Sequence, residues 1–72
     1  MIVRISLRDR RIGQALTQKQ LSEKSGVNLR MVQKYENGEK DINKAQAITL
    51  YQLAQALDCT IEDLLELGGV NE

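Results

Sequence analysis

The chain predicts an all-α fold, a compact bundle of five short helices, on three observations. Apolar residues recur at three- and four-residue spacing from Leu7 to Leu65, as a helix face requires. Two capping patterns, Thr17-x-x-Gln20 and Thr60-x-x-Asp63, open helical runs, and proline is absent throughout. Glycines stand where helices should stop, at Gly26 and Gly38. The 72 residues make one domain, over 1–72. A chain this short buries only about 60% of the surface its unfolded form exposes, so the core is modest.

Met1 to Ile5 alternates loosely and fits either an N-terminal arm or a short strand. Ser6 is an N-cap, with Asp9 favourable in the first turn that follows. Leu7, Arg11 and Ala15, with Ile12, give helix one an inward face running to about Ala15. Arg8 and Arg10 point outward, and Leu16 is a buried connector. Thr17 then caps a helix anchored by Leu21, beside a Ser22 small enough for another helix to come close. Gly26 tolerates the positive φ of an abrupt stop, Val27 turns back into the core, and Asn28 caps the next helix. That helix, Leu29 to Asn37, places Val32 and Tyr35 inward with Met31 at the margin, and Gly38 ends it.

After the polar Glu39-Lys40-Asp41, the residues Ile42, Ala45 and Ile48 space as one face, opening with room for a single separate turn. Leu50, Leu53, Ala54 and Leu57 continue the fourth helix to about Leu57, where Asp58 and Cys59 break it. Thr60 caps a fifth helix whose apolar side is Ile61, Leu64 and Leu65. Gly68-Gly69 ends the ordered part, leaving 68–72 as a loose tail.

Composition excludes several classes of function. Without His the commonest general base and metal ligand is missing. Cys59 has no His to activate it and suits a small buried position. Glu62 and Asp63 are adjacent on a helix, face different ways, and favour the helix dipole as first-turn acids. No phosphate-binding glycine loop and no metal-ligand spacing occur, so the chain reads as no enzyme, with no cofactor and no metal. No apolar run approaches the ~20 residues of a membrane span. Met1-Ile2-Val3 meets Arg4 at once, which is no signal peptide, and one Cys suits a reducing cytoplasm.

The zero net charge conceals a polarised chain. Residues 1–44 hold all ten Lys and Arg against five acids, a balance of +5, and residues 45–72 hold five acids and no base. One surface therefore attracts a polyanion and another turns from it. On the helix after Gly26, Leu29, Arg30, Gln33, Lys34 and Asn37 form one outward stripe. A polar helix face alone reads first as solvated. Here the tight turn, the caps and the inward anchors shift the reading to a helix whose donors and acceptors meet base edges in a major groove.

Thr17 to Gly38 resembles the helix-turn-helix of the phage repressor and Cro family, also called the XRE type. The resemblance rests on Leu16-Thr17-Gln18, Leu21, Gly26, Val27, Val32 and Tyr35-Glu36-Asn37-Gly38. It extends to Leu53-Ala54-Gln55-Ala56-Leu57 and Ile61-Glu62-Asp63-Leu64-Leu65, so it covers about Leu7 to Leu65. Ser25 stands where the family carries a small apolar residue, and the segment from Gly38 to Leu53 is a few residues longer than usual. The resemblance implies a lambda-repressor-like domain that binds double-stranded DNA, as a small transcriptional repressor acting as a homodimer on a palindromic operator.

It also implies roles for residues. Gln18 contacts a phosphate and braces the base-reading helix. Arg30 and Lys34 head the base readers, with Gln33, Asn37 and the capping Asn28 beside them. Leu29 either touches a thymine methyl or packs back on Val27. Arg10, Lys19 and Lys40 lie where the phosphate backbone passes. Arg11 and Glu36 form a structural ion pair across the domain. With no second domain, dimer contacts fall to the fifth helix and tail, at Leu64, Leu65, Leu67 and Val70, or form only on DNA. Two other readings keep the fold: an antitoxin whose acidic half grips a basic toxin protein, and a protein-interaction module that no longer binds DNA. The retained Arg30, Gln33 and Lys34 argue against the latter.

Overall fold

The computed structural model describes residues 7–65, and within them the fold is all-helical. Five α-helices follow in order: α1 Leu7–Gly13, α2 Gln18–Ser25, α3 Leu29–Asn37, α4 Ala47–Ala56 and α5 Ile61–Leu64. A single 3-10 turn, Ile42–Lys44, stands between α3 and α4. The Ser6 cap, the Met1–Ile5 arm and the 68–72 tail lie outside the described residues.

Local chemistry explains each boundary between α1 and α3. At Thr17 the hydroxyl accepts from the Gln20 N–H at 3.0 Å, and the Gln20 side chain accepts from the Thr17 N–H at 2.8 Å. Two of the four N–H groups left free at the α2 N-terminus are thereby satisfied. Gly26 ends α2 at φ +79°, where a side chain would strain the backbone. Asn28 Oδ1 then accepts from the Arg30 and Met31 N–H groups and opens α3.

Behind this pair, α4 forms the platform. It touches α2 on one side and α5 on the other, while α1 lies against α3. Leu7, Leu21, Val32, Leu53, Leu57 and Leu64 are at most 2% exposed, so every helix sends at least one side chain into a common centre. Each such burial contributes about 1.5–3 kcal/mol relative to exposure. Thr60 and Asp63 open α5 with a second reciprocal cap.

Three apolar assignments along the sequence are corrected. Ile12 is 52% exposed. It sits five positions after Leu7, off the buried side of a seven-residue helix. Ala15 is exposed and lies beyond the helix end, at φ 57° in the left-handed region. Ile48 is 59% exposed, because extended backbone at Ala45 and Gln46 resets the phase between the 3-10 turn and α4. Ile42 alone of its trio is fully inside.

Ser25 is a buried polar residue with its hydrogen bonds made. Its hydroxyl accepts from the Val27 N–H at 3.0 Å and donates to the Ser22 carbonyl at 3.4 Å. The Ser22 hydroxyl in turn donates to the Val27 carbonyl at 2.6 Å. A small apolar residue at 25 would leave the Val27 N–H without that partner.

Candidate nucleic-acid interface

Cap and turn chemistry present α3 with one face in the core and one in solvent. Val32 and Tyr35 are buried; Arg30, Gln33 and Asn37 are exposed; Leu29 and Lys34 are half-buried. Arg30 and Gln33 are three residues apart and share a side of the helix. Asn37 has a structural task of its own. Its Oδ1 accepts from the Glu39 N–H at 3.0 Å, and its amide donates to the Glu39 carboxylate at 3.4 Å, which folds the chain past Gly38. Asn28 is exposed, with its side-chain oxygen spent on the cap.

A single carboxylate fixes α3 against its neighbours. Glu36 accepts from Arg11 Nε at 2.7 Å and Nη2 at 3.0 Å, a two-pronged pair. The same carboxylate accepts from the Gln18 amide at 3.1 Å. Arg11 Nη1 donates to the Leu16 carbonyl at 2.8 Å, tying in the α1–α2 connection. The two charged side chains keep only 12% and 3% of their surface exposed. The hydrogen bonds and charge of Glu36 raise the Arg11 pKa still further, so its guanidinium stays charged at any ordinary pH. Gln18, the first residue of α2, is therefore linked to the penultimate residue of α3.

Beside this pair lies a shallow hollow lined by Arg8, Gln18, Gln33, Glu36 and Asn37. Arg8 was not among the residues the sequence singled out; Arg10 was. Side chains two apart on a helix lie about 200° from each other, so only one of the two can border α3. Arg11 reaches Glu36, and the residue three before it shares that side. Arg10 turns the other way. Its Nη2 sits 3.4 Å from Asp63 Oδ1, and it borders a separate hollow with Gln14, Leu57 and Asp58. Asp63 has its pKa lowered by the Thr60 hydrogen bonds of its cap and, to a smaller degree, by Arg10. Lys19 and Lys40 are exposed, and the Lys40 N–H donates to the Lys34 carbonyl at 3.1 Å.

The C-terminal assignments divide. Leu64 is 0% exposed in the core of the domain, so it has no surface to offer a second copy. Leu65 is half-buried, and Leu67 and Val70 lie outside the described residues. Cys59 is partly buried, and that burial pushes its thiol pKa up, away from the reactive thiolate.

The model of the helix-turn-helix family matches residues 7–64, most of the chain. This protein belongs to the XRE-type helix-turn-helix family. No curated protein and no solved structure gives a significant match. Like other XRE-type proteins, it is a DNA-binding helix-turn-helix regulator. Among the described residues no group of side chains could hold a metal ion, and no helix is long and apolar enough to cross a membrane.

Proposed function

We propose that this protein is a transcriptional repressor that reads a palindromic operator as a homodimer. In this reading α3 enters the major groove, with Arg30 and Gln33 on base edges and Lys34 and Leu29 at the margins. The observation that carries it is the exposed polar side of α3 held in place by Glu36, Arg11 and Gln18. Such anchoring is what base readout needs, since a bidentate Arg–guanine contact tolerates little angular error. Lys19 and Lys40 fit phosphate contacts, which position the protein without carrying sequence information. A dimer on DNA would set two copies of α3 about 34 Å apart, one turn of duplex. The dimer contact is proposed at Leu65, Leu67 and Val70 once Leu64 is removed from it, the last two lying outside the described residues.

Selection of bound sites from a random duplex pool tests the reading, and a two-fold symmetric consensus is expected. Arg30→Ala should then cost about 1–3 kcal/mol on that consensus and little on scrambled DNA. Lys40→Ala should weaken both by a similar factor. If Arg30→Ala leaves site preference intact, another face of the domain meets the DNA.

A further inference from the structure

We propose that Arg8, on the first helix, clamps a phosphate of the DNA backbone alongside the recognition helix. The inference rests on the DNA-reading role of α3 and adds to it a contact from outside the helix-turn-helix. Arg8 is exposed and borders the hollow whose other walls are Gln18, Gln33, Glu36 and Asn37. These come from the start of α2 and the outward side of α3, the two elements that approach the duplex. Among the described residues no carboxylate pairs with Arg8.

The charge of the hollow supports a phosphate there. Among the described residues Glu36 is its only acidic wall, and both oxygens of that carboxylate are occupied, by Arg11 and by Gln18. With Glu36 neutralised by Arg11, the charge of Arg8 is the excess charge of the hollow. Gln33 and Asn37 add side-chain amides at its rim. A guanidinium with amide donors beside it suits a phosphate diester, whose oxygens accept from a planar fork. When α3 lies in a major groove, the backbone strands bounding the groove run along its flanks. Because α1 lies against α3 and Arg8 borders the hollow beside Gln33 and Asn37, a strand on that flank comes within its reach. Arg10, on the opposite side of the same helix, pairs with Asp63 instead.

Binding isotherms over a salt series, on one specific and one scrambled duplex, test this with Arg8→Ala, Arg8→Lys and Arg10→Ala. Arg8→Ala should weaken both duplexes by a similar factor, several-fold at low salt. It should also flatten the log K against log[salt] slope by about 0.9 per protomer, one phosphate's worth of released counterion. Arg8→Lys should keep most of the slope, and Arg10→Ala should leave it unchanged. Helicity by circular dichroism should be the same for all, since Arg8 is exposed. An unchanged slope in Arg8→Ala, with normal binding by the unaltered protein, overturns the Arg8 assignment alone. A loss confined to the specific duplex overturns the phosphate contact in favour of base reading. Absence of duplex binding by the unaltered protein overturns this inference and the parent reading together.

Discussion

Helices α3 and α4 are nearly equal in length and opposite in how they are held. Helix α3 has a side-chain cap bonded to two N–H groups, a left-handed glycine at its end and a buried ion pair near its C-terminus. It buries only Val32 and Tyr35. Helix α4 has no side-chain cap bond and carries no charged residue, but it buries Leu50, Leu53, Ala54 and Ala56. Apolar burial is strong and non-directional, so it fixes where a helix lies but only loosely how it is turned. Hydrogen bonds and ion pairs specify angle and register. The helix that must present a face to a ligand is held by the second kind, and the helix behind it by the first.

Removing the directional anchor is expected to have the largest effect. Glu36→Ala leaves the Arg11 guanidinium without its partner, and loss of one side of a buried pair costs about 3–5 kcal/mol. Arg11→Ala should cost less than that only if water reaches Glu36. The double variant should lose less than the sum of the singles, and thermal melts of the four proteins measure the coupling. Strict additivity would mean that the two side chains do not stabilise each other.

The apolar platform comes next. Leu53 is 0% exposed, so Leu53→Ala should destabilise by about 2–5 kcal/mol in chemical denaturation. Under conditions where the variant is folded, its site preference should match that of the unaltered protein. A shift in preference would show that the platform also sets the angle of α3.

The smallest change would make α4 resemble α3. Gln46 occupies the N-cap of α4 in extended backbone without bonding to it. Gln46→Ser should stabilise the fold by about 0.5–1 kcal/mol through a bond to an unsatisfied N–H of the first turn. An unchanged midpoint would show that water already serves that end of α4.

The same contrast explains what could be read from the sequence. The turn and its flanks were legible because their determinants are local: Thr17 with Gln20, Gly26, Asn28 and Gly38 act within four residues of where they stand. The α5 box, Thr60 with Asp63, was legible for the same reason. Phase between elements was not. Ile12, Ala15 and Ile48 satisfy a helical spacing on paper, but a short helix ends before the pattern does, and two extended residues shift the count. Arg8 and Arg10 were interchangeable as outward charges until α3 was set against α1. Leu64 was open to two uses, core or contact, and only the location of α4 decides that it is core. Ser25 has local partners, the Val27 N–H and the Ser22 carbonyl, but its burial against the core is set by the packing of α2 and is not written in its neighbours.

The hydroxyls of Ser22 and Ser25 make the turn self-sufficient, with consequences for how the domain adapts to a duplex. Two hydrogen bonds tie the end of α2 to Val27 at the entrance of α3, and a third joins Ser25 to Ser22 within α2. With the Gln18–Glu36 hydrogen bond, these contacts hold α2 and α3 together as a bracket. A rigid bracket cannot follow variation in groove width, so the duplex must bend or twist to meet it, and that deformation costs more for stiff sequences than for flexible ones. Operators that differ only at base pairs the protein never touches should accordingly bind with different affinity, flexible pyrimidine–purine steps more tightly than A-tracts. Ser25→Ala, which removes two of these three hydrogen bonds, should narrow that difference in a competition series, and an unaltered spread would place the flexibility elsewhere.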